Sequence, residues 1–306
     1  MWFIFALITT LAWGAADLFY KRAAIAGDKY SHLKTGMIVG FVMGIHAIVM
    51  LLTTDMHYNF GNILIYLPVS AMYILSMVIG YFGLRYLELS ISSPVQNSSG
   101  AVTAILCLLI LHQTMDAFSA AGVILICIGV FALGVIEKKL TPQIGQDKKF
   151  RTGFTAFMIP VAYCIIDALG TFLDAYYLDD ISTTPLIGVT EETFENVANT
   201  SYELTFLLAA IGILVFLMIK GEKIRIPLQG NRAAAALFET AGQFTYVYAL
   251  SGNGVVAAPM VSAYCIVSLI LSRIFLKEKL TRSQTVSIAA VIAGIILMGI
   301  FEGLAE

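Results

Sequence analysis

Ten apolar runs of about 20 residues follow one another along this chain, and all 18 Lys and Arg residues fall in alternate connections between them. The runs are 2–20, 33–53, 63–84, 91–111, 117–136, 153–177, 200–219, 233–250, 255–276 and 283–302. A helix needs about 20 apolar residues to cross the hydrocarbon of a bilayer. The runs are continuous rather than alternating, which favours helices over a barrel. Turn chemistry separates them, as at Asn59 to Asn62, Thr141-Pro142 and Gly252-Asn253-Gly254. Composition agrees. Charged residues make up 12% and hydrophobic ones 59%, with a mean hydropathy of +0.86. A soluble domain carries about 25% charged residues. The expectation is an all-α polytopic membrane protein, placed in the plasma (inner) membrane.

The first run, Met1 to Tyr20, lacks the basic leader of a signal peptide and meets Lys21-Arg22 only at its far end, so it reads as span 1. The net charge of -2 says nothing by itself about partners, and no basic tail or arm suggests nucleic acid. Cys107, Cys127, Cys164 and Cys265 lie singly in apolar runs and read as packing residues. No nucleotide-binding loop occurs, so ATP is not expected as the direct energy source. No enzyme activity, metal or cofactor is expected. The expected partners are a small-molecule substrate and membrane lipid, with the chain a monomer or homodimer.

Orientation follows from the basic residues. Lys21, Arg22, Lys29 and Lys34 lie between spans 1 and 2, and Arg85 between spans 3 and 4. Lys138, Lys139, Lys148, Lys149 and Arg151 lie between spans 5 and 6. Lys220, Lys223, Arg225 and Arg232 lie between spans 7 and 8, and Arg273, Lys277, Lys279 and Arg282 between spans 9 and 10. By the positive-inside rule these connections are cytoplasmic and both termini are outside. The opposite side holds an acidic stretch at about 178–199, with Asp179, Asp180, Glu191, Glu192 and Glu195. A lid over a pathway and a plain solvated loop both fit it. Asn199-Thr200-Ser201 matches a glycosylation sequon.

The chain also repeats itself. Pro94 to Gly129 aligns without gaps to Pro259 to Gly294, with identities that include Val102/Val267, Ile105/Ile270, Leu106/Leu271 and Leu111/Leu276. Ala12-Trp13-Gly14-Ala15-Ala16-Asp17 matches Ala162-Tyr163-Cys164-Ile165-Ile166-Asp167. Residues 1–140 and 150–306 are therefore expected to form two five-span repeats. An odd number of spans inverts the second repeat. Inverted repeats are a common build for secondary transporters, with the site at the repeat interface.

On these residues the chain resembles the drug/metabolite transporter superfamily, and its EamA-type permeases in particular. The resemblance runs through Trp13-Gly14 to Lys21, Gly83-Leu84-Arg85-Tyr86-Leu87 to Pro94, and Leu276-Lys277-Glu278-Lys279-Leu280-Thr281. It implies ten helices as two inverted five-helix repeats around a central cavity. It further implies that spans 1, 3, 4, 6, 8 and 9 line the cavity and that spans 5 and 10 are peripheral. Two departures stand out. His112-Gln113-Thr114-Met115 replaces a segment where relatives often carry a charged pair, and the 178–199 stretch is longer than usual.

Polar residues in the spans fall into stripes at helical spacing. Span 1 has Trp13, Asp17 and Tyr20, and span 6 has Tyr163, Asp167, Gly170 and Asp174. Span 4 has Ser92, Gln96, Ser99 and Thr103. Span 8 has Glu239, Gln243 and Tyr246, and span 9 has Tyr264, Ser268 and Ser272. Five such faces imply a shared wet cavity, to which span 3 adds Tyr81. A charge at mid-membrane costs at least about 2.5–3.5 kcal/mol, so these groups are expected to face a cavity or a partner.

The expected substrate-binding residues are thus Trp13, Asp17, Tyr20, Tyr81, Gln96, Ser99, Tyr163, Asp167, Glu239, Gln243, Tyr246 and Tyr264. Asp17, Asp167 and Glu239 are also the candidates for proton coupling. Asp17 has a second reading as an i, i+4 partner of Lys21. Asp174, near the outer end of its span, reads as solvated, and His46 as a packed, hydrogen-bonded histidine. Gly36, Gly40 and Gly44 read as a close helix contact. Pro94 and Pro259 are expected to kink or start their helices.

Carboxylates with aromatic rings and no bases suit a small organic cation or zwitterion, such as an amine, a quaternary ammonium compound or an amino acid. Phosphorylated sugars would need cationic groups in the cavity. Another class of small metabolite or drug as cargo, or a membrane sensor that does not transport, are the other readings. A protease dyad of Asp17 and Asp167 would need carboxyls about 3 Å apart. Mirrored depths in oppositely running spans argue against that.

Overall fold

A computed structural model of the chain describes residues 1–25, 27–87, 89–140, 153–224, 229–277 and 281–305. Among the described residues all regular structure is helical. Hydrocarbon offers no partner to a backbone N–H or C=O, so each apolar run closes its own hydrogen bonds. Spans 1 to 3 are α1 (Trp2–Ala23), α2 (Ser31–Thr53) and α3 (Asn62–Gly83). Span 4 is broken into α4 (Leu89–Asn97) and α5 (Ser99–Leu106), and it ends in a π-helical turn, Cys107–Leu111. Spans 5 to 8 are α6 (Ala117–Leu140), α7 (Gly153–Tyr177), α8 (Phe194–Ile219) and α9 (Gly230–Leu250). Span 9 is α10 (Gly254–Ser262) and α11 (Tyr264–Leu271) with a π-helical turn, Ser272–Leu276, and span 10 is α12 (Arg282–Ala305).

Seven of these spans are long and apolar enough on their own to cross a bilayer. Spans 5 and 10 carry shorter apolar stretches, Ala117–Leu133 and Arg282–Met298. Span 8 is the least apolar, since α9 carries Arg232, Glu239, Thr240 and Gln243, all buried against other helices. The chain is an integral multi-pass membrane protein. Side chains such as Ile45, Leu75, Phe131 and Ile296 are exposed on its outer faces, where lipid would cover them.

The packing has the symmetry of an inverted repeat. Helix α1 packs on α9, and its equivalent α7 packs on α3, the equivalent of α9. Helix α2 packs on α8, α5 on α10, α4 on α11, and α6 on α12, so these spans meet their own equivalents. The irregularities repeat as well. Spans 4 and 9 break at Ser98 and Ala263, turn π-helical from Cys107 and Ser272, and end in left-handed residues, His112 (φ 54°) and Lys277 (φ 59°). Each pair keeps the register of the Pro94/Pro259 alignment. The prolines lie inside α4 and α10 rather than at their starts. A proline cannot donate to the carbonyl four residues back, which weakens the helix locally. Each break follows within one turn.

The expected close contact of α2 is present, since a Cβ on Gly40 would lie 2.3 Å from the Phe206 carbonyl oxygen of α8. A similar contact joins spans 4 and 9, where a Cβ on Gly100 would meet Ser262 Oγ at 2.0 Å and the Ala258 oxygen at 2.7 Å.

Three expectations are corrected. Helix α8 begins at Phe194, so the outer loop ends there and the sequon lies inside a helix. Asn199 is fully buried, which removes it from the reach of a modifying enzyme. The shorter loop is not free-standing. Asn62 exchanges two hydrogen bonds with the Ile187 backbone (3.0 and 2.9 Å), and Gln113 Nε2 donates to Asp179 Oδ1 at 2.5 Å. The Gly252 N–H donates to the Leu178 oxygen at 2.9 Å. Lastly, Lys34 and Arg232 are buried inside helices, not exposed in connections. Arg232 donates to the Ala23 oxygen, Ser31 Oγ and Thr35 Oγ1 at 3.2, 2.9 and 3.1 Å. Lys34 pairs with Asp28 (3.0 Å) and Glu222 (2.9 Å). Their apolar stems let both reach the rim from within a span. The junction expected between the repeats falls at residues 141–152, outside the described residues.

Two outcomes follow from this architecture. A cysteine placed at Thr183 reacts with a membrane-impermeant maleimide on intact cells, whereas one at Lys220 reacts only after permeabilisation. Labelling of Lys220→Cys from outside would reverse the orientation. Gly100→Ala wedges spans 4 and 9 apart and costs about 1–3 kcal/mol, read as a lower melting temperature in detergent.

Candidate functional site

Where the two repeats meet, α1, α3, span 4, α7, α9 and span 9 enclose a cavity of about 60 Å³, with Tyr202 of α8 at its wall. That volume holds about four waters. Neither α6 nor α12 contributes to the lining among the described residues. All twelve residues expected at the site from the sequence line this one cavity. Their convergence comes from the stripes: each helix turns its polar face inward because its other faces meet lipid or neighbouring helices.

The three acids are held in different ways. Asp17 Oδ2 accepts from Ser93 Oγ of α4 at 2.7 Å and from Ser268 Oγ of α11 at 2.6 Å. Asp167 accepts from Ser99 Oγ of α5 at 2.7 Å and from Ser76 Oγ of α3 at 3.4 Å. Glu239 Oε2 accepts from Tyr20 Oη at 3.1 Å. Each carboxylate is therefore tied to helices of the other repeat. Asp17 and Asp167 have separate hydroxyl donors, an arrangement unlike two acids that share one proton. The alternative pairing of Asp17 with Lys21 gives way to these serines, while Lys21 Nζ donates to the Leu84 and Leu87 carbonyls at 2.9 and 2.5 Å.

Rings fill much of the remaining wall. Trp13 lies 4.9 Å from Tyr246 and 5.8 Å from Tyr264 between centroids, and its Nε1 donates to the Glu239 carbonyl at 3.2 Å. Tyr20 and Tyr81 pack at 4.5 Å toward the end that carries the basic residues. Toward the other end, Tyr73 Oη donates to Thr171 Oγ1 at 2.9 Å and meets Tyr246 Oη at 3.1 Å. Beyond that layer Tyr66 Oη donates to Asp174, and both are almost fully buried. The solvated reading of Asp174 is thus overturned. Helix α3 reaches along α7 to the outer face and covers it. Together with the bonded loop before α8, this layer lies at the end of the cavity away from the basic residues.

Several lining residues had escaped the sequence reading. Tyr73 and Gly80 lie on one α3 face with Tyr66, seven residues apart, a spacing that was available as a signal. Asn97 and Thr171 sit beside identified stripes, at Gln96 and Asp167. Tyr202 lies near the start of the expected span 200–219, outside any stripe identified there. So does its neighbour Glu203, fully buried and paired with His46 Nδ1 at 2.8 Å. That pair joins α8 to α2 outside the cavity lining, in line with a packed, hydrogen-bonded His46. Within the stripes, Ser92, Thr103 and Ser272 are buried but do not reach the cavity.

A model of the EamA-like transporter family matches residues 1–135 and 193–300. Among curated proteins none matches the chain by sequence. A solved structure described only as a crystal structure of protein is similar, with a TM-score of 0.64 over 99% of this chain and 98% of that one. At 10% identity that likeness speaks to the fold alone.

The outer layer makes a direct prediction. Tyr66→Phe strips a buried carboxylate of its donor and lowers stability by about 1–3 kcal/mol. Asp174→Asn costs less, because its amide oxygen still accepts from Tyr66 and no charge is buried. Thermal melts of the two purified variants compare them.

Proposed function

Because the chain belongs to the EamA-like transporter family, whose members move small molecules across membranes, we propose that it is a secondary transporter for a small organic cation or zwitterion. The observation that carries this reading is the charge of the cavity. Three carboxylates line it, and no Lys, Arg or His does so among the described residues. A carboxylate in a low dielectric needs a compensating cation or a proton. Hydroxyl donors offset part of that cost, and ring faces add attraction for a cation.

Alternating access gives the carboxylates two uses. A substrate ammonium and a proton compete for the same oxygens, so filling the site with one expels the other. Such competition couples two fluxes without any further device. The tethers from Asp17 and Asp167 to the opposite repeat suit this role. A change in their charge alters the bonds that hold the repeats together. The closed cavity holds only a few waters, so entry of any substrate requires one end to open.

The test is transport in proteoliposomes with Asp167→Asn. Flux of a transported amine falls by about tenfold or more, the scale of a lost hydrogen bond to a charged group, and its pH dependence flattens. Unchanged flux and pH dependence would remove Asp167 from the mechanism. Transport confined to anionic sugars would overturn the cationic reading itself.

A further inference from the structure

Beside the acids, the cavity carries two neutral amides with polar atoms that no protein group engages. Gln243 of α9 is 1% exposed, and neither its Oε1 nor its Nε2 has a hydrogen-bond partner. Gln96 of α4 is 6% exposed, and its Nε2 likewise has none. Buried amides without partners are rare because each costs about 1–3 kcal/mol. Both residues line the same cavity as Asp17, Asp167 and Glu239. Glu239 and Gln243 lie on one face of α9, one turn apart, or about 6 Å along the axis. An acid is thus followed, within the length of a small molecule, by a neutral group that both donates and accepts.

We infer that the substrate is an amine whose ammonium is joined to a neutral hydrogen-bonding group, such as a hydroxyl or an amide, rather than a quaternary ammonium compound or a free amino acid. This rests on the cationic reading above and narrows it. A quaternary ammonium has no N–H for the carboxylates and leaves the amides unpaired. A free amino acid brings a carboxylate into a cavity that already holds three and offers it no base. An amine with a neutral polar tail satisfies both halves of the site. Eight aromatic residues in the lining offer ring faces to a ring on such a molecule once the cavity opens.

Four probes with one ring separate these cases: tyramine, phenethylamine, tyrosine and phenethyltrimethylammonium. Their binding is measured by calorimetry on the purified full chain in nanodiscs. Tyramine is expected to bind tighter than phenethylamine by about three- to tenfold, the worth of one added hydrogen bond, and tighter than the other two. Gln243→Met and Gln96→Met keep the side-chain length but remove the amide. They weaken tyramine more than phenethylamine and so erase the advantage of tyramine. Asp17→Asn weakens both amines alike and reports on the cationic reading separately.

If the amines bind but tyramine has no advantage, or if tyrosine or the quaternary compound binds as tightly, the inference is overturned and the cationic reading stands. If the Met variants keep the full advantage, the amides are not the recognising groups and the inference fails. If no amine binds, or binding ignores Asp17→Asn, both readings fall together.

Discussion

A carboxylate inside hydrocarbon has to be given partners by other helices, and that requirement organises this molecule. Asp17 draws serines from α4 and α11, Asp167 from α3 and α5, and Glu239 a tyrosine from α1. Each of the three acids has at least one bond that crosses from one repeat to the other. Lipid supplies no hydrophobic drive for one helix to pack on another, so close packing and polar bonds carry more of the association. The acids that define the cavity are also among the bonds that close it. A protein that must open this cavity therefore has to loosen the groups that would meet its substrate.

The two broken spans provide a place to bend. Spans 4 and 9 break just after a proline, at matching positions, and they cross where Gly100 meets Ser262. Their halves carry the donors to Asp17 and Asp167. A discontinuity beside a charged site is the usual build of secondary transporters, since irregular backbone at membrane depth is tolerated only where it is buried in protein or faces a cavity. Polar clusters lie at the two ends. Arg232 and Lys34 gather α1, α2, α9 and Glu222 at the basic end, while Tyr66 and Asp174 bond at the other. Both are made of polar bonds that can be exchanged for water, which suits contacts that part and re-form.

Much of this architecture was legible in the residues. Run length placed the spans, and charge asymmetry set the expected orientation. A gapless alignment of Pro94 to Gly129 with Pro259 to Gly294 revealed the repeat. Helical spacing brought Asp17, Asp167, Glu239 and their ring neighbours to one cavity, because a helix has only one way to present an i, i+4, i+7 stripe. Pattern failed where depth depends on a neighbour. Asp174 looked solvated from its place in α7, and only the packing of α3 buries it. The first turns of α8, with buried Asn199, read as loop, since a helix can begin in a polar stretch when other helices cover it. Arg232 looked like a connection residue until its stem was seen to run along the span.

The sequence by itself determined the class of the protein, its inverted halves and which helix faces are polar. These follow from local rules: hydrocarbon thickness, backbone satisfaction and helical periodicity. Only the tertiary structure decided which polar groups bond to one another and which remain unpaired. Ser93 and Ser268 lie far apart in the chain and meet at Asp17 only when spans 4 and 9 cross. Gln96 Nε2 and both amide atoms of Gln243 stay without protein partners in the same packing. Hydrogen bonding is short-ranged and directional, so its pairing is set by the packing of helices and not by their order.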